Sequence, residues 1–88
     1  MSQPWQLALQ RDSLRHLLAL RGRERERLLD ALDRLAAEPY EPHDFSFRSG
    51  AAQRDYHVKL VAGFTITYWL DHFANEVRVM QIARVGRG

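Results

Sequence analysis

The 88-residue sequence contains no cysteine, so it has neither a disulfide framework nor a thiolate zinc site. A core this small must therefore stand without staples, or gain support from a partner. No apolar run approaches the eighteen or so residues of a membrane span. Met1-Ser2-Gln3-Pro4-Trp5 shows no basic stretch leading into an apolar one, and the expectation is an untargeted protein of the cytoplasm. There is no glycine-rich phosphate loop, no internal repeat and no low-complexity linker. Lysine is nearly absent too: Lys59 is the single one beside twelve arginines.

Hydrophobic residues make up 45% and charged residues 27%, a balance that folds rather than stays disordered. The length fits one domain spanning residues 1–88. The net charge of +2 is unevenly spread. Residues 1–44 carry seven Arg against eight acids, while residues 45–88 carry five Arg and Lys59 against three, so the halves sum to −1 and +3. A weakly basic second half suits phosphate contacts without requiring them.

Trp5, Leu7 and Leu9 alternate with polar or small residues and predict a short strand, with Pro4 suited to a sheet edge. Asp12 or Ser13 then caps a predicted helix whose apolar stripe is Leu14, Leu17 and Leu18, and Gly22 interrupts it. A second helix is predicted from Arg23 to Ala37 with Leu28, Leu32 and Leu35 on one face; Glu24–Arg27, Asp30–Arg34 and Arg34–Glu38 sit at ion-pair spacing on the other. Arg21 to Arg27 alternates arginine with acid or glycine, which reads as a solvated helix start rather than a binding patch.

Pro39 ends that helix, and the segment through Phe45, Phe47 and Ser49-Gly50 reads as a loop. Three strands are then predicted: Tyr56 to Leu60, Phe64 to Leu70 after a tight turn at Gly63, and Val77 to Ala83 after a turn at Asp71 to Asn75. The fold class is α+β: an N-terminal strand, two consecutive helices and a three-stranded antiparallel meander, with the helices on one sheet face. If Tyr56, Val58 and Leu60 face the helices, alternation sends His57 and Lys59 to the other side, beside Thr65, Thr67 and Trp69. An imidazole, an ammonium, two hydroxyls and an indole on one face can hold RNA, and they also describe an ordinary wet sheet face.

His43-Asp44 and Asp71-His72 lack a third ligand at metal-binding spacing and read as loop pairs. His16 reads as a surface residue, and Ser13, Ser46 and Ser49 sit in no nucleophile-elbow context. Arg84 and Arg87, interspersed with glycine, form a basic end to the last strand or a frayed terminus.

A helix ending at Pro39, then Phe47-Arg48-Ser49-Gly50, Asp55-Tyr56-His57-Val58-Lys59, the turn at Gly63, Phe64-Thr65-Ile66-Thr67-Tyr68, Asp71, and Val77 to Arg84 resembles the RelE/ParE toxin superfamily of toxin–antitoxin pairs. The resemblance implies a compact four-stranded sheet flanked by helices. In the RelE branch it implies cleavage of messenger RNA on the ribosome, with no cofactor and no metal, and neutralisation by a cognate antitoxin. By that resemblance His57 and Lys59 are catalytic, joined by Arg84 or Arg87 with the register open between them. The RNA-contact set is Arg54, Lys59, Trp69, Arg84 and Arg87. Two departures accompany it: Thr65 stands where active relatives often carry arginine, and residues 1–88 do not include the terminal segment that supplies a further catalytic tyrosine in some relatives. The alternatives are a ParE-like, non-enzymatic inhibitor of DNA gyrase, which the Thr65 departure favours, and a toxin-fold binding module without catalysis.

Overall fold

A computed structural model describes residues 4–85. Strand β1 (Gln6–Leu9) leads into helix α1 (Arg11–Ala19) and helix α2 (Gly22–Ala37); strands β2 (Phe45–Ser49), β3 (Arg54–Val61), β4 (Phe64–Asp71) and β5 (Glu76–Arg84) follow. They form one five-stranded sheet in the order β1-β5-β4-β3-β2. β1 is an edge strand, as Pro4 suggested, and runs parallel to β5, with Leu7 beside Val77 and Leu9 beside Val79.

The meander has four strands rather than the three expected, because the segment read as a loop pairs with β3. Phe45, Phe47 and Ser49 alternate with Ser46 and Arg48, a period of two that a strand needs. The stretch is short and solvent-facing on its outer side, which is why it lacks the apolar content of the central strands.

Helix α1 turns differently from the expected stripe. Leu17 is buried, but Leu14 and Leu18 are 42% and 61% exposed. The inward positions are Ser13, Leu17 and Leu20, so Ser13 is no cap: its hydroxyl is buried and donates to the Val79 carbonyl at 3.4 Å. The flanking residue at the helix start is Gln10, which makes no side-chain capping bond. At the other end Arg25 donates from Nε and Nη2 to the Leu20 carbonyl, at 3.0 and 2.7 Å, and ties α2 to the end of α1. In α2 the expected face is the real one, with Leu28, Leu32 and Leu35 almost completely buried. The expected ion pairs along α2 do not form among the described residues; Arg34 pairs with Glu41 and Glu24 with Arg84.

The face of β3 is reversed from the expectation, and the turn is the cause. Only Ala62 and Gly63 separate the strands, both with positive φ (54° and 83°), as a tight two-residue hairpin requires. Val61 is thereby paired with Phe64, Lys59 with Ile66 and His57 with Tyr68. Directly paired residues share a sheet face, and Phe64, Ile66 and Tyr68 are completely buried in the helix-side core. His57, Lys59 and Val61 therefore lie on the helix side, whereas Tyr56, Val58 and Leu60 lie on the open side. β5 carries a second parity change: Thr67 pairs with Gln81 but Tyr68 with Val79, so Met80 is an extra bulged residue. The bulge lets Val77, Val79 and Ile82 all point into the core.

Candidate functional site

The register divides the expected site residues between two faces. On the helix side, His57 is half-buried under the loop that follows α2. Its ring lies 4.2 Å from that of His43 and 5.5 Å from that of Tyr68, centroid to centroid. A cleft of about 280 Å³ opens here, lined by Pro39, Tyr40, Glu41, His43, His57 and Leu70. Burial holds the pKa of His57 below its ordinary value near 6.5, and the neighbouring His43 adds to the effect against the opposing charge of Asp55. Protonation is disfavoured because the ring gives up water, so the imidazole is neutral at pH 7.

Pro39 starts the loop by stopping α2, and the loop is fastened at both ends. Glu41 accepts from Lys59 Nζ at 3.0 Å and from Arg34 Nε at 3.1 Å. These two cations hold the Glu41 carboxyl below its usual range. Farther along, the Leu60 backbone N–H donates to Asp44 at 2.7 Å. Tyr40 stacks on His72 with its hydroxyl 3.2 Å from the ring's Nδ1, and Trp5 meets both rings edge-on. Asp71-His72, read as a loop pair, thus supplies an aromatic anchor.

Lys59 is not a free surface cation; its side chain is 17% exposed and spent on Glu41. Arg84 is also engaged, by both oxygens of Glu24, the second at 3.2 Å, with its guanidinium 5.0 Å from the Phe64 ring. Glu24 opens α2, whereas Arg34, the other partner of Glu41, stands near its end. At 1.5 Å rise per residue, Glu24 and Arg34 are about 15 Å apart along the axis. Lys59 and Arg84 are consequently held at opposite ends of α2 rather than around one point. Arg87 lies outside the described residues.

The open face carries the rest. Arg54 lies over the Trp69 ring at 3.8 Å, with Arg78 on the same indole at 5.6 Å. Arg78 is neutralised by Asp71 and Glu76, at 3.0 and 2.9 Å, while Arg54 makes no ion pair among the described residues. Phe47 and Tyr56 stack at 5.4 Å on the same face. They help to line a hollow of about 440 Å³ that reaches Asp12 and His16 on α1 and Gln81 on β5. Thr65 lies on this face as well, across from Ala83, so it does not neighbour His57 or Lys59.

Sequence reasoning missed His43, Glu41 and Tyr40, which came into view only once the loop was seen to fold back over β3. No residue spacing announces that contact. Among the described residues, no group of three or more His, Asp or Glu is placed to hold a metal ion, and no helix is long and apolar enough to cross a membrane.

The geometry defines an α+β domain in which two helices cover one face of a five-stranded sheet closed by a parallel first strand. No protein-family model matches the sequence, and no curated protein matches it. Among solved structures, the chain is similar to that of the archaeal RelE–RelB complex from Pyrococcus horikoshii OT3, at 16% identity over 98% of this chain and 100% of that one, with a TM-score of 0.75. It is also similar to the toxin–antitoxin complex RelBE2 of Mycobacterium tuberculosis (13% identity, 93% and 99% covered, TM-score 0.71). A third likeness is to the intact Escherichia coli RelBE toxin–antitoxin complex (14% identity, 94% and 99% covered, TM-score 0.61). The chain has a RelE toxin-like fold.

Proposed function

We propose that this chain is the toxin of a type II toxin–antitoxin pair, a ribosome-dependent mRNA endonuclease restrained by a cognate antitoxin protein. The observation that carries the reading is the RelE-like fold over 93–98% of the chain, in structures solved as RelE–RelB and RelBE toxin–antitoxin complexes. The reaction is attack by a ribose 2′-hydroxyl on its own phosphate, which asks for a base, for positive charge around the phosphorane and for an acid at the leaving oxygen. His57 moves the proton: it borders an open cleft and enters neutral, ready to accept. Lys59, two residues along the same face, serves the phosphorane by exchanging the Glu41 carboxylate for a phosphate oxygen. Arg54 with Trp69, and Arg84 at the other end of α2 from Lys59, contact RNA away from the reacting phosphate, and Arg87 adds a further cation for RNA.

One test separates this reading from its rival. Purified protein is added to ribosomes translating a defined message, the RNA ends are mapped, and gyrase supercoiling is measured alongside. Codon-phased cuts that fall by roughly 10²–10⁴-fold with His57→Ala support the nuclease. Uncut message with lost supercoiling selects the ParE-like gyrase inhibitor. That second reading draws on Thr65 lying on the open face and on the engagement of both Lys59 and Arg84 by carboxylates.

A further inference from the structure

His43 stands on the loop between α2 and β2, His57 on β3, and their rings lie side by side, 4.2 Å apart and tilted by 32°. Two imidazoles this close repel each other when both carry charge, so His43 disfavours charge on His57. Their surroundings differ in the sense that separates an acid from a base. His43 is exposed to solvent, whereas His57 is half-buried with its Nδ1 enclosed and without a hydrogen-bond partner among the described residues. Nε2 is therefore the nitrogen of His57 that meets a ligand. Both rings border the same cleft, with Lys59 and Glu41 beside it.

We infer that His43 is a second catalytic residue of this site, the general acid that complements His57 as general base in RNA strand scission. The inference rests on the nuclease reading above and adds the group which that reading left unassigned, the proton donor to the leaving oxygen. Neutral His57 takes the proton of the 2′-hydroxyl as the O2′–P bond forms. The P–O5′ bond breaks as protonated His43 gives its proton to O5′. The products are a 2′,3′-cyclic phosphate and a free 5′-hydroxyl; His57 leaves protonated and His43 neutral, and exchange with water resets both. In-line attack places the entering and leaving oxygens on opposite sides of phosphorus, and two adjacent rings facing one cleft can each reach one of them.

The assignment of roles agrees with the protonation bias, since burial and the neighbouring His43 both disfavour charge on His57. The other titratable groups around the pair are Tyr40, Glu41 and Asp44 on the loop, Asp55 and Lys59 on β3, and Tyr68 on β4. Glu41 is committed to Lys59 and Arg34, and Asp44 to the Leu60 backbone N–H. Tyr68 is pushed upward by burial and stays neutral.

The test uses wild-type protein, His43→Ala and His57→Gln on translating ribosomes. The message carries either the normal linkage or a sulfur in place of the bridging 5′-oxygen at the mapped cut. A thiolate leaves without a proton donor, so only loss of the acid is repaired by sulfur. On the normal linkage His43→Ala is expected to lose roughly 10²–10⁴-fold. On the sulfur linkage it is expected to recover most of that loss, whereas His57→Gln stays slow on both. His43→Ala cutting the normal linkage as fast as wild type, or remaining equally slow on sulfur, overturns the role of His43 while leaving the nuclease standing. Wild-type protein that cuts neither message overturns the nuclease reading, and the acid–base pair with it.

Discussion

The two faces of the sheet are built from the same strands but spend their side chains differently. Toward the helices, completely buried Phe64, Ile66 and Tyr68 meet Leu28 and Leu32, and the cations at the margins, Lys59 and Arg84, are each claimed by a carboxylate. Away from the helices, Phe45 and Phe47 remain 59% and 51% exposed, and Arg54 lies on Trp69 with no acid paired to it among the described residues. The helix face makes the fold and holds its charges closed. The open face leaves aromatic area and an unspent cation available to something outside the chain. The cleft at His57 belongs to the first face but sits beyond the end of α2, where the helices stop covering it.

Substitutions can break or sharpen this division. The largest expected effect is from Leu32→Ala, which opens a cavity at a completely buried position and should cost about 2–5 kcal/mol in denaturant unfolding. The matching change on the open face, Phe47→Ala, should cost under about 1 kcal/mol, because half of the ring is already in water. Equal losses from the two would mean that the open face is structural after all. Tyr68→Phe comes next: the buried hydroxyl has no partner among the described residues, and removing it should raise stability by about 1 kcal/mol. A drop in the thermal midpoint would instead reveal a bond that the hydroxyl makes.

Smaller still is Ala62→Asn at the hairpin, where a φ of 54° suits asparagine better than alanine. A gain of about 0.5–1 kcal/mol is expected, with no change in the register that sets the two faces. The last effect is one of pH. His57 has a pKa below its ordinary value near 6.5, so the unfolded chain binds more protons in that window. Its contribution is fully present above that value and is lost as the pH falls through the lower, folded pKa. His57→Gln should flatten the decline of the thermal midpoint on acidification, and an unchanged decline would assign it to other groups.

Much of the helix face was legible in the sequence. The spacing of Leu28, Leu32 and Leu35 and the alternation of Phe64, Ile66 and Tyr68 mark the inward positions directly, because burial demands apolar side chains at the period of each element. β3 was misread for a definable reason: Tyr56, Val58 and Leu60 are the more apolar set, but a two-residue turn makes even positions of β4 share a face with odd positions of β3. The turn outranks composition here, since hydrogen-bonded pairing fixes every residue of the hairpin at once. The bulge at Met80 has no residue signature, and the partners chosen by Glu24 and Glu41 depend on how α2 lies across the sheet. Long-range contacts of that kind, including His43 with His57, leave no period in the sequence.

The pairing of β1 with β5 has a kinetic meaning. β1 has one neighbour in the sheet, and it is β5, the last of the described strands. Leu7 and Leu9 therefore stay without Val77 and Val79 while everything between them is being synthesised. Closing that contact joins positions separated by nearly the whole length, which raises contact order and slows folding relative to a hairpin-only meander. The helices and the β2–β5 meander can associate earlier, but their core lacks its edge until β1 docks. A nascent chain halted anywhere before Glu76 has no native place for β1, so this domain completes its fold only after β5 has been made.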